Sequence, residues 1–277
     1  KDSPSIHDNF FMDLGGDSLK ALLFVVRFEQ EAGQAIEVGQ LYEAPTIAAL
    51  AQRLSSRPPA AAGAAQKRDI SRDEILDRQR SYVASWKGER VAAQSLLFAM
   101  NPQGKRPPLF WCFQGFEELN ILSQRLGGEQ PLIGMRSGHL IMDYADANID
   151  VLANQYADEA AAIRPEGEFV LGGNCQGAII AQRTAEKLRK AGRRVALLIL
   201  MEASDFPAYP GKVALLFGRD SHLNPYNSHG DPDAVFAQRY PAGYVVDFIP
   251  GAHGQFFNAH NIDGLASVIA RQAQGQP

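Results

Sequence analysis

Cys175 stands in "EFVLGGNCQG" (168–177), where an apolar run ends in Gly-Asn-Cys-Gln-Gly and a helical stretch follows. A tight turn from strand to helix needs small flanking residues, and it lifts the central side chain clear of the sheet edge. The positive end of the helix behind it favours a thiolate over a thiol. The backbone N–H of Gln176 is then available to an oxyanion formed beside the sulfur. Such a nucleophile requires a histidine base, and the base requires an orienting acid. Of six histidines, His253 lies in "IPGAHGQFF", a glycine-flanked turn after the last apolar run. His260, in an expected helix seven residues on, is the other candidate. His7, His139, His222 and His229 read as surface or loop residues. For the acid, Glu202 follows directly on "VALLILM" and Asp205 comes three residues later. Cys112, inside "FWCF", reads as a core thiol, so two separate cysteines are expected rather than a disulfide.

A second group suited to chemistry is the hydroxyl of Ser18 in "LGGDSLKALL" (14–23). Gly15 and Gly16 permit a sharp turn, and Asp17-Ser18 opens a helix whose positive end suits an attached phosphate. On local physics alone, the same serine is an ordinary N-cap.

The elements that must position these residues fall into two groups. In the first, Leu19, Leu22, Leu23 and Val26 share one helix face with Gly33 as a stop. Ile47, Leu50, Ala51 and Leu54 share another, started by Pro45-Thr46. "SSRPPAAAGAAQ" (55–66) has the composition of a tether. The expected units are therefore residues 1–57, a linker over 58–70 and a second unit over 71–277. That unit opens with a helix over 71–86, with Ser71 as N-cap and Glu74 completing a capping box. Apolar, β-prone runs then alternate with amphipathic stretches at 148–163 and 177–191, which predicts a mostly parallel sheet covered on both faces. The result is a doubly wound α/β domain over about 95–277.

A length of 277 residues, 45% hydrophobic and 21% charged, suits a globular protein with a sizeable core. The net charge of −4 gives no reason to expect nucleic acid or an anionic membrane as partner. No apolar run approaches a membrane span, and the start lacks a secretory apolar segment, so a cytoplasmic location is expected.

Residues 6–54 carry D-x-F-F, L-G-G-D-S-L and P-T-I-A-x-L elements, and nearly end to end resemble the peptidyl carrier domain of non-ribosomal peptide synthetases. The resemblance implies an all-helical carrier with 4′-phosphopantetheine on Ser18, loaded by a phosphopantetheinyl transferase and served by upstream synthetase modules. The family's first helix has no counterpart here, so the carrier reads as partial. Residues 95–277, with "GNCQG" and "PGAH" as anchors, resemble the terminal thioesterases of the same synthetases, which are α/β-hydrolases. That resemblance implies Cys175 as nucleophile, His253 as base, and Glu202 in preference to Asp205 as acid. It implies an oxyanion hole from Gln176 with Gly115 or Phe116, although Glu117 and Glu118 stand where the family often has glycines. The helical lid of the family is short or missing, and residues 221–243 are expected to take part of its covering role. The cysteine nucleophile is similar to that of thioesterases forming β-lactams or β-lactones, in particular the monobactam-forming type. The implied reaction is release of a peptidyl thioester by transfer to Cys175 and ring closure. Hydrolysis to a linear peptide, β-lactone or macrocycle formation, and a non-catalytic carrier-docking role are the alternatives. Arg136, in "GMRSGH", reads as a surface arginine or as the cation for an anionic substrate group.

Overall fold

Five consecutive buried residues, Leu109–Phe113, form the strand β3 at the centre of the sheet, and every one is apolar. A strand with no solvated face can persist only where helices cover both sides. The computed structural model describes residues 4–11, 13–14, 16, 18–32, 36, 40–41, 44–55, 70–202, 207–227 and 230–275. Within it, the chain divides into two units, Lys1–Asp69 and Ile70–Pro277. The tether over 56–69 and Gly33 lie outside the described residues.

In the first unit, α1 (Ser18–Ala32) and α2 (Ile47–Ser55) enclose a small apolar cluster of Ala21, Val25, Ile36, Leu41, Ala44 and Leu50. Thr46 accepts the Ala49 N–H at 3.1 Å, which starts α2 where the sequence predicts. Phe10 anchors the turn before α1: its carbonyl takes the Gly16 N–H at 2.7 Å, and its N–H bonds the Pro45 carbonyl at 2.7 Å.

The second unit runs α3 (Arg72–Val83), β1 (Glu89–Arg90), β2 (Phe98–Met100), β3, α4 (Phe116–Leu126), β4 (Leu132–Arg136) and α5 (Asp146–Ile163). It continues with β5 (Phe169–Asn174), α6 (Gln176–Lys190), β6 (Val195–Met201), β7 (Val213–Gly218), α7 (Pro232–Arg239), β8 (Tyr244–Ile249) and α8 (Ile262–Ala273). The eight strands order β1-β2-β4-β3-β5-β6-β7-β8. The pairs β1–β2 and β2–β4 are antiparallel, and all others are parallel. This is the α/β-hydrolase arrangement. Ser71 caps α3 by accepting the Glu74 N–H at 3.2 Å, while the Glu74 carboxylate turns away to Arg78.

After β3 the chain moves to β4 on one side, and β5 then returns to the other side of β3. The connections leaving β3 and β5 therefore diverge and open a crevice at their carboxyl ends. Residues 221–243 lie in the crossover from β7 to β8, and its α7 is fixed by Phe236, 2% exposed and stacked on Phe217 of β7 at 6.0 Å.

Candidate active site

Cys175 joins β5 to α6 with φ +49° and ψ −127°, a conformation that L residues rarely adopt. The turn is made by close approach. A Cβ on Gly173 would lie 2.4 Å from the Gly177 carbonyl oxygen, and one on Gly177 would lie 2.2 Å from the carbonyl oxygen of Cys112 in β3. Both glycines are required because backbone meets backbone there. Gly177→Ala is expected to cost about 3 kcal/mol or more, since neither partner is a side chain that can move aside. A thermal melt beside the wild type checks it.

Three side chains converge at this edge from three connections. His253, in the turn between β8 and α8, brings Nε2 to 3.9 Å from Cys175 Sγ. Its Nδ1 stands 3.1 Å from Glu202 Oε2. Glu202 follows β6 with φ +62° and is 5% exposed. Its remaining acceptor capacity is filled: the Gly218 N–H donates to Oε1 at 2.7 Å, and the Ser221 hydroxyl donates to Oε2. A carboxylate so held cannot swing, and the imidazole it faces is fixed in orientation. Burial alone would lower the His253 pKa. The hydrogen bonds and charges of Cys175 and Glu202 outweigh it and raise the value to about 10. The same contacts favour the protonated form of His253 beside the sulfur.

Asp205 lies outside the described residues, as does His229. His260 is exposed in a turn, not in a helix, because α8 begins only at Ile262. Gln176 is the first residue of α6, Gly115 the N-cap of α4 and Phe116 its first residue, so their N–H groups sit at two helix starts flanking the crevice. Cys112 is fully buried, and burial pushes its thiol well above the ordinary range. It is a packing residue.

Arg136 departs from the expectation of a surface arginine. It is 3% exposed, donates to Gln79 Oε1 at 3.1 Å and to the His139 carbonyl at 2.5 Å, and lies 4.0 Å over the Tyr82 ring. His139 is likewise half-buried, and burial followed by the Arg136 charge pushes its pKa down to about 4. His222, expected at the surface or in a loop, is exposed in a turn, and its ring stands edge-on to His253 at 5.5 Å between centroids. No local sequence pattern marks it, since only the sheet brings the ends of β7 and β8 together.

Residues 1–54 match the phosphopantetheine attachment site family, and residues 140–208 match the thioesterase domain family. The chain joins a phosphopantetheine carrier to a thioesterase. The didomain is 34% identical to malpinin synthetase of Mortierella alpina over 206 residues, 71% of this chain and 2% of that protein. It is 26% identical to a dimodular nonribosomal peptide synthase of Bacillus subtilis (strain 168), over 71% of this chain and 7% of that protein. It therefore spans a small fraction of the relatives it matches. The NocB thioesterase domain from the nocardicin cluster overlays with a TM-score of 0.53 at 20% identity, covering 65% of this chain and 99% of that domain. Among the described residues, no helix is long and apolar enough to cross a membrane.

The carrier unit holds 4′-phosphopantetheine covalently, and the first unit fits that group. Ser18 opens a 15-residue helix, whose positive end favours an attached phosphodiester. The turn before it is tight, because a Cβ on Gly16 would lie 2.4 Å from the Phe10 ring.

Proposed function

We propose that the didomain releases a carrier-bound peptide by moving it from a prosthetic thiol at Ser18 to Cys175, and that an internal nitrogen then closes a β-lactam ring. The observation that carries this reading is the relay Cys175–His253–Glu202, at 3.9 Å and 3.1 Å, on a strained turn between strand and helix. The 4′-phosphopantetheine supplies the thiol that presents the acyl chain as a thioester.

Cys175 attacks the thioester carbonyl as a thiolate. The oxyanion is received by the Gln176 N–H and by an N–H of Gly115 or Phe116. His253 delivers its proton to the departing sulfur as the new C–S bond at Cys175 is completed. For the second half, His253, now neutral, takes the proton of the attacking nitrogen. A C–N bond forms, the Cys175–acyl bond breaks, and the thiolate returns to its place beside imidazolium.

Sulfur at position 175 favours ring closure for an energetic reason. Thioester-to-thioester exchange is nearly balanced, whereas transfer to a serine would lose much of the acyl activation before the strained step. Hydrolysis tolerates that loss, and closure of a four-membered ring tolerates it poorly. The reading takes the cysteine nucleophile to resemble that of monobactam-forming thioesterases such as the sulfazecin synthetase's, and it takes upstream synthetase modules and a phosphopantetheinyl transferase as partners.

The test is to incubate the didomain with a peptidyl pantetheine thioester ending in a 2,3-diaminopropionyl residue and to weigh the product. A cyclic product supports the proposal, and a linear acid as sole product removes ring closure and leaves hydrolysis. Cys175→Ser is expected to load the acyl group and to release it at least tenfold more slowly, about 1.4 kcal/mol or more in barrier. Normal turnover by that variant contradicts the thioester argument.

A further inference from the structure

The two loops that meet at Cys175 are tied together by a carboxylate outside the relay. Glu118 lies in the first turn of α4. Its Oε2 accepts the backbone N–H of Gln114 at 2.9 Å and the Nδ2 of Asn174 at 3.1 Å. Gln114 is the last residue before Gly115 and Phe116, and Asn174 is the last before Cys175 and Gln176. The tie is doubled, because Gln114 Nε2 donates to the Asn174 carbonyl at 2.8 Å while the Ser137 hydroxyl holds Gln114 Oε1 at 2.9 Å. Asn174 itself is 1% exposed, and its Oδ1 takes the Trp111 Nε1–H at 3.0 Å. A single oxygen bridging both loops limits how far they can part without losing a charge-assisted bond.

We propose that Glu118 is a positioning residue for acyl transfer: its carboxylate pins the loop after β3 to the end of β5 and so sets the gap between the two N–H groups that receive the oxyanion. The proposal rests on the reading of Cys175 as acyl acceptor. An oxyanion hole needs both donors within a few tenths of an ångström of the developing charge, and among the described residues it is Glu118 that accepts from both loops through one atom. Withdrawal from water raises the Glu118 pKa to about 7, against the opposing pull of Gln114 and Asn174. Beside it are the Glu117 carboxylate of its own turn and the Cys112 thiol of β3, whose pKa its charge helps to raise; the Arg136 of β4 acts on that same thiol. Both donors reach the same oxygen, so the tie needs an acceptor there in either protonation state, and it is stronger toward the carboxylate.

The experiment compares wild-type didomain, Glu118→Ala and Glu118→Gln in release of a pantetheine thioester between about pH 5 and 9. Melting temperature and the rate of Cys175 alkylation are read alongside. Glu118→Ala is expected to lower kcat about 10- to 100-fold with KM within about twofold. Glu118→Gln keeps an oxygen acceptor and recovers most of that loss. Alkylation stays at the wild-type rate in all three, because thiolate formation rests on His253. The inference is overturned by unchanged kcat in Glu118→Ala, by a kcat loss that follows lost folding or slowed alkylation, or by a Glu118→Gln that recovers none of the loss. Failure of the wild type to load Cys175 overturns the functional reading and the inference together, whereas loading with an indifferent Glu118→Ala overturns the inference alone.

Discussion

His253→Ala is expected to lower kcat/KM by about 10⁴-fold or more, with acyl loading of Cys175 as well as release affected. The imidazole is the proposed proton carrier in both halves of the reaction, and among the described residues it is the imidazole placed within reach of Sγ, at 3.9 Å. His222 borders the His253 ring, at 5.5 Å between centroids. Loss of the imidazolium also removes the counter-charge of the thiolate. Alkylation of Cys175 at neutral pH should therefore slow by about tenfold or more. A fold that melts as the wild type, with the slowed alkylation, assigns the effect to proton handling. A variant that turns over normally would remove His253 from the mechanism.

Glu202→Gln carries the second-largest expected effect, a fall in kcat of about 10³- to 10⁴-fold. The carboxylate faces three groups at once: the Gly218 N–H, the Ser221 hydroxyl and His253 Nδ1. An amide has one acceptor oxygen and must turn its NH2 toward a donor on the other side. Either the imidazole loses its orienting acceptor or the end of β7 does. Because the site is 5% exposed, the unsatisfied group also costs about 1–3 kcal/mol of stability. Kinetics on protein still folded at the assay temperature separate the two losses. A kcat within a few-fold of wild type would transfer the acid's role to Asp205.

Much of the architecture was legible because strands without a solvated face are written as unbroken apolar runs. "LFWCF", "LIGMR" and "VALLFG" are each buried throughout. β1 was not legible, since Glu89–Arg90 is two charged residues paired at an edge and has no apolar signature. α7 was missed for a different reason. It is eight residues long in a stretch rich in Pro, Asn and Gly, and its one local signal is Asp231 capping with Pro232 in the first turn.

For the site, local patterns identified the residues that sit on a turn, such as Cys175 and His253. They left Glu202 and Asp205 open, because two acids three residues apart after one strand differ only in where the backbone aims them. Arg136 and Glu118 were misjudged or passed over for one shared reason. Charged residues ordinarily face water, and a sequence does not display the partners that make burial tolerable: Gln79 and Tyr82 for the arginine, Gln114 and Asn174 for the acid.

Cys175 and Glu202 share a further property, a left-handed φ of +49° and +62° that few non-glycine residues adopt here. Each such residue opposes folding by about 1–3 kcal/mol, a load the surrounding sheet must carry. Glycine at either position would relax the backbone while deleting the reactive group. Heat resistance and chemistry therefore pull this edge in opposite directions, and a lineage screened for ruggedness alone would drift toward an inert, sturdier protein.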